Sequence, residues 1–206
     1  MNAKRITDRS FFTCPAEELA PKLLGKVLCR KAEDGFVIRG RINVTEAYPT
    51  ADKVNDAARA AKSGKVNTQM QEGGVIYVKN SRGSFRFDIV AGHAGDGESV
   101  LIRGLDAYTE GPFIAADAMS IDSGLDGADL LSSESLIWLE DDGVSVELNE
   151  PRPRVLGEKA PSESAERLLR FTVKLYIQLN TCLPPSTTPL FFRGSIRLTQ
   201  RRCSRR

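Results

Sequence analysis

The sequence predicts an α+β protein: a single domain of curved antiparallel β-sheets with a few peripheral helices. Three observations carry this expectation. Short runs with strand-like alternation outnumber helical ones, hairpin-type turns separate them, and they do not alternate with helices as a doubly wound fold would require. A chain of 206 residues with 41% hydrophobic and 27% charged residues has the length and composition of one globular domain with a sizeable core. The domain is placed at residues 1–180, followed by a basic, irregular C-terminal tail at 181–206.

The first element is a helix from Ala16 to Leu24. Pro15 suits the helix start, Glu17 and Glu18 suit its positive end, Leu19, Leu23 and Leu24 recur at helical spacing, and Gly25 stops it. Lys26–Arg30 and Phe36–Glu46 read as strands joined by a turn at Asp34-Gly35. A second hairpin runs from Val75–Lys79 through Asn80-Ser81-Arg82-Gly83 to Ser84–Val90. Ser99–Arg103 is a short strand, Ile114–Met119 a turn or two of helix, and Leu136–Glu140 with Val144–Leu148 a hairpin over Asp141-Asp142-Gly143. The last strand is Arg170–Leu179, where Phe171, Val173, Leu175, Ile177 and Leu179 alternate with polar or amphipathic residues. Pro184, Pro185 and Pro189 then open the tail.

Several function classes are excluded by composition. No run of 18 apolar residues exists to span a membrane, and Met1–Ser10 lacks the apolar core of a secretory signal, so an intracellular protein is expected. Cys14, Cys29, Cys182 and Cys203 are far apart and His93 is the only histidine, which leaves no zinc-ligand spacing; no metal or other cofactor is expected. His93 lies in the polar loop Ala91–Glu98 and reads as a solvated loop residue, so histidine-assisted nucleophilic hydrolysis has no material. The net charge of +2 conceals an asymmetry. Residues 181–206 hold six arginines and no acid, leaving 23 of the 29 basic residues against all 27 acidic ones, a net of −4. An acidic body opposes tight duplex binding unless its cations cluster on one face.

Period-two counting along Phe36–Tyr48 places Ile38, Ile42, Val44, Glu46 and Tyr48 on one face, with Arg39, Arg41 and Asn43 on the other. A carboxylate closing an apolar face needs a reason, because burying it ionised without a partner is costly. Either Glu46 turns to water at a strand end, or it is a general base tuned by a partly apolar pocket.

A collinear set of short motifs bears on that choice. Phe11-Phe12, Glu18-Leu19-Ala20 and Leu23–Leu28 are followed by Gly40-Arg41-Ile42 and Thr45-Glu46-Ala47-Tyr48. Asp52-Lys53, Met70, Gly73-Gly74, Tyr77-Val78, Gly95-Asp96-Gly97, Val100–Arg103 and Gly111-Pro112 follow in order, then Ile121-Asp122, Gly127–Leu130, Pro153-Arg154 and Arg170-Phe171. Over roughly residues 11–173 this series resembles the methylpurine (3-methyladenine) DNA glycosylase family. The resemblance implies a monofunctional glycosylase that flips an alkylated or deaminated purine out of damaged double-stranded DNA and hydrolyses its glycosidic bond. It implies that Glu46 activates the water, that Arg103 lies near water and phosphate, and that Tyr48 stacks on the base. A monomer without membrane association is expected.

The departures from the family pattern fall in the recognition shell. Asp56 stands where a pocket histidine is expected, Lys79 where a second stacking tyrosine is expected, and Arg82 where the intercalating tyrosine sits at the hairpin turn. Asp88 replaces an asparagine near the catalytic carboxylate, and the segment between Ala107 and Gly111 is short. Retention of Glu46 and Arg103 favours an active enzyme of altered specificity. Loss of the recognition side chains favours the alternative, a catalytically inactive relative that acts as a nucleic-acid-binding or structural domain.

Overall fold

Strand Val37–Tyr48 (β3) is the axis of the molecule, with partners along both of its halves. The computed structural model describes residues 3–57, 67–106 and 109–174. The chain divides into two units, Met1–Leu175 and Tyr176–Arg206, of which the second lies outside the described residues. The other strands are Lys4–Arg5 (β1), Val27–Lys31 (β2), Ile76–Ser81 (β4), Ser84–Ala91 (β5), Glu98–Leu105 (β6), Thr109–Glu110 (β7), Ile137–Asp141 (β8) and Arg170–Thr172 (β9). Their order in one antiparallel sheet is β1-β8-β2-β3-β6-β5-β4, with β7 on β6 and β9 on β3. Among the described residues the α-helices are few and short: Ala16–Leu23 (α1), Pro112–Ala118 (α2) and Ser162–Glu166 (α3). The structure is thus the expected α+β domain of antiparallel strands with peripheral helices.

Helix α1 forms where the leucine spacing predicts it, and it packs its buried Leu19, Ala20 and Leu23 across β3. Burial of each leucine contributes roughly 1.5–3 kcal/mol. Helix α2 covers β5 and β6 on the same side, so Phe87, Ile89, Val100, Ile102, Leu105 and Met119 join one core. Gly25 follows α1 at φ +84°, and a Cβ there would lie 3.0 Å from the Val146 side chain, so glycine is needed for both conformation and space.

Two expectations fail. Val144–Leu148 is not a strand paired with β8; β8 pairs with β1 and β2 instead. The turn does not fold back because Asp141 is drawn to Lys26 at 2.5 Å and Asp142 to Arg41 at 2.6 Å, while Leu148 bridges to Val173. Of the expected strand Arg170–Leu179, β9 covers Arg170–Thr172, and residues 175–179 lie outside the described residues.

The second failure concerns the faces of β3. Ile42 pairs with Leu105, Val44 with Gly104 and Thr45 with Ile102. Two steps along β3 first match one along β6, leaving Asn43 extra; one step then matches two, leaving Arg103 extra. This double bulge shifts the alternation by one residue. Ile42 packs into the core before it, whereas Thr45 and Ala47 face the core after it, with the Thr45 hydroxyl donating to the Ala20 carbonyl at 2.9 Å. Glu46 and Tyr48 therefore point away from the core that holds Ile42, onto the face that carries Arg39 and Arg41 further back. Counting by two cannot see an inserted residue.

Candidate active site

Cross-strand pairs on the second face bring the site residues together. Glu46 on β3 is opposite Leu101 on β6, which is opposite Asp88 on β5, which is opposite Tyr77 on β4. Period-two neighbours add Tyr48, Ser99, Arg86 and Lys79 to the same face.

Glu46 is fully buried. Its Oε1 accepts a hydrogen bond from the Val155 backbone N–H at 2.9 Å, and its Oε2 accepts one from the Tyr48 hydroxyl at 3.2 Å. Arg103 approaches Oε1 to 3.6 Å and is 13% exposed. Arg103 is the extra residue of β6 in its pairing with β3, and its side chain reaches toward Glu46. Its Nε is 4.0 Å from Glu110, whose carboxylate is hydrogen-bonded by Arg170. The guanidinium thus hangs between two carboxylates and donates a hydrogen bond to neither. Arg170 is itself directly opposite Glu46 in the β3–β9 pairing.

Tyr48 is largely covered, and burial, with Glu46 and Asp88 nearby, pushes its hydroxyl well above the usual tyrosine range. The Arg154 guanidinium lies 4.8 Å from its ring centre. Arg154 is buried and donates to the carbonyls of Ala47 at 2.9 Å and Ser164 at 3.0 Å, and it pairs with Asp52. The Ser164 hydroxyl donates to Asp52 at 2.6 Å. Burial alone would raise the Asp52 carboxyl, but the bonds from Ser164 and Arg154 outweigh it and hold the group below its ordinary value. This clamp ties the segment carrying Val155 to the end of β3, and so sets the N–H that orients Glu46.

Asp56, Lys79, Arg86 and Asp88 form polar contacts on the same side of the site. Lys79 donates to both oxygens of Asp56 at 2.7 Å, and Arg86 reaches the same carboxylate at 3.1 Å. Asp56 and Lys79 therefore satisfy each other. Asp88 is 7% exposed and accepts from the Ser99 hydroxyl at 2.7 Å, which in turn accepts from Gln69 at 2.7 Å. Burial pushes its carboxyl up to about 6, while Arg86 and the Ser99 bond pull it down. Asp88 and Glu46 are two strands apart with Leu101 between them, ~10 Å by strand spacing. Direct repulsion between the two carboxylates is thus not what raises Asp88.

Arg82 occupies the tip of the β4–β5 hairpin, exposed and away from the cluster. With φ +55° at Arg82 and +88° at Gly83, both central residues of the two-residue turn lie in the left-handed region, as a type I′ turn demands. His93 is exposed, with its ring 3.0 Å from Glu72. Among the described residues no group of three or more His, Cys, Asp or Glu side chains is arranged to hold a metal ion.

Sequence reasoning missed Arg86, Asp52 and Arg154 as site residues. Arg86 was legible in principle, since it alternates with Asp88; the Asp52–Arg154 clamp joins residues about 100 apart in sequence and needs the fold.

The arrangement thus combines, on one face of an antiparallel α+β domain, a buried and hydrogen-bonded carboxylate, an adjacent arginine and a tyrosine ring. Residues 10–109 match the family model described as Methylpurine-DNA glycosylase (MPG). A protein of Clostridium botulinum (strain Alaska E43 / Type E3), named "Putative 3-methyladenine DNA glycosylase", is 36% identical over 112 residues, 53% of this chain and 55% of that protein. A protein of the same name from Clostridium perfringens (strain SM101 / Type A) is 25% identical over 194 residues, 81% of this chain and 94% of that one. One from Herpetosiphon aurantiacus is 29% identical over 143 residues, 59% of this chain and 64% of that one. The matched region spans about half the length of the first of these relatives. Over residues 10–109, just under half of its length, the chain is similar to the methylpurine-DNA glycosylase family.

Proposed function

We propose that the protein is a DNA repair glycosylase that flips an alkylated or deaminated purine out of duplex DNA and hydrolyses its N-glycosidic bond. The observation that carries this reading is Glu46: fully buried, held by the Val155 N–H and the Tyr48 hydroxyl, with Arg103 at 3.6 Å. In this reading Glu46 takes a proton from water as the water oxygen bonds to the sugar C1′. The C1′–N bond breaks and the purine leaves with the bonding pair; a neutral purine takes its proton from solvent, and a cationic alkylated one needs none. Arg103, which donates a hydrogen bond to neither flanking carboxylate, is free to bind the water or a phosphate oxygen when substrate arrives. Tyr48 offers its ring to the base, where stacking is worth ~1–3 kcal/mol. The names of the relatives support the same chemistry.

Single-turnover excision on duplexes carrying 3-methyladenine, 7-methylguanine, hypoxanthine or ethenoadenine tests the proposal. Glu46→Gln is expected to cut base release by about 10²–10⁴-fold with DNA binding little changed. Equal release by the two proteins would remove Glu46 from the mechanism. A second reading, an inactive DNA-binding relative, draws on the Asp56–Lys79–Arg86 cluster, which replaces stacking surface with mutually satisfied charge. DNA binding with no base released from any of the four lesions would select it.

A further inference from the structure

A cavity of about 360 Å³ opens beside Tyr48 and Val155, whose N–H bonds Glu46. Three cations line it, each from a different element: Lys53 from the loop after β3, Arg86 from β5 and Lys159 from the loop before α3. Among the described residues no acidic side chain lines it. The neighbouring acids bind from outside: Glu163 pairs with Lys53 at 2.8 Å at an exposed position, and Asp56 pairs with Arg86 at 3.1 Å. Lys159 has no ion-pair partner among the described residues, and Gly157 keeps the adjoining wall free of side-chain bulk. Such convergence is unexpected by chance in a chain that carries a net charge of −4 without residues 181–206. Glu163 and Asp56 offset Lys53 and Arg86 in part, and an anion in the cavity would offset the like-charge repulsion that remains with Lys159.

We infer that this cavity is a phosphate seat, which takes the backbone phosphate flanking a nucleotide extruded toward Glu46. The inference rests on the glycosylase reading for the identity of the anion. An extruded nucleotide carries its phosphodiester within a few bonds of C1′, so a base stacked on Tyr48 and a phosphate among Lys53, Arg86 and Lys159 belong to one ligand. The seat also answers the difficulty posed by the acidic body: the cations needed for phosphate contact are gathered locally rather than spread over the surface.

The test measures binding of a lesion-bearing duplex across a salt series for the full chain and for Lys159→Glu, Lys159→Arg and Lys53→Ala, with unchanged thermal unfolding as the check on folding. The slope of log affinity against log salt should fall by about 0.9 for each lost phosphate contact in Lys159→Glu and Lys53→Ala, and stay near wild type in Lys159→Arg. In parallel, inorganic phosphate should shift the amide resonances of Gly157 and Lys159 in the wild type but not in Lys159→Glu. Identical salt slopes for wild type, Lys159→Glu and Lys53→Ala would overturn the seat. Shifts with inorganic phosphate but no change in duplex slope would make it a free-phosphate site and overturn its assignment to DNA. Base release is scored separately: altered slopes in a protein that releases no base would keep the seat and reject the hydrolase.

Discussion

At the scale of single residues, Asp88 is a buried carboxyl whose ionisation is costly. Its carboxyl is pushed up to about 6 by burial, above the unfolded value of about 3.9. A raised carboxyl favours the folded state only while protonated, so this contribution is complete below about pH 4 and lost as pH rises through 6. Asp88→Asn should therefore stabilise the protein by up to about 3 kcal/mol at pH 8 and by almost nothing at pH 4. Urea unfolding at the two values decides it; an equal effect at both would mean that Asp88 does not titrate. Asp56 and Lys79 act on the pocket differently, since each is occupied by the other. Lys79→Tyr combined with Arg82→Tyr should raise excision of a neutral lesion such as ethenoadenine, by restoring stacking worth ~1–3 kcal/mol per contact. A folded double variant no faster than wild type would take both positions out of recognition.

At the scale of elements, one device positions the site and a second shapes the hairpin tip away from it. The buried Asp52–Arg154–Ser164 clamp holds the segment before β9 against the end of β3. Removing one partner leaves an unpaired buried charge, so Arg154→Ala should cost about 3–5 kcal/mol and cut base release by freeing Val155 from Glu46. A loss under about 1 kcal/mol in denaturant unfolding would show that the clamp is not structural. The second device is the β4–β5 hairpin tip, where Arg82 holds a left-handed conformation that non-glycine side chains resist. Arg82→Gly should stabilise the fold by roughly 1 kcal/mol. Weaker DNA binding in the same variant would show that the arginine is kept for contact rather than conformation, whereas unchanged binding would leave the strain without a use.

Over the whole molecule the dominant quantity is charge distribution. The tail residues 181–206 lie outside the described residues, and their six arginines turn a net of −4 into +2. Deleting them should weaken duplex binding and flatten its salt dependence by up to ~0.9 log unit per lost phosphate contact. An unchanged slope would leave the folded domain as the sole DNA contact. No helix among the described residues is long and apolar enough to cross a membrane.

The sequence by itself determined the local elements and the candidate for the central carboxylate. Leucine spacing marked α1, alternation and turn residues marked β2 to β6, and Thr45-Glu46-Ala47-Tyr48 marked the candidate carboxylate. These signals survive because they depend on residues a few positions apart, where periodicity and turn preference act. Tertiary structure decided the rest. It put Glu46 on the face away from the core, because the bulges at Asn43 and Arg103 shift the alternation by one residue. It kept Val144–Leu148 out of the sheet, because Asp141 and Asp142 find Lys26 and Arg41 over 100 residues away. It also neutralised Lys79 with Asp56 and brought Lys53, Arg86 and Lys159 around one cavity. Each of these depends on which distant charge or backbone group comes within a few ångströms, and that distance is set only when the sheet closes around its core.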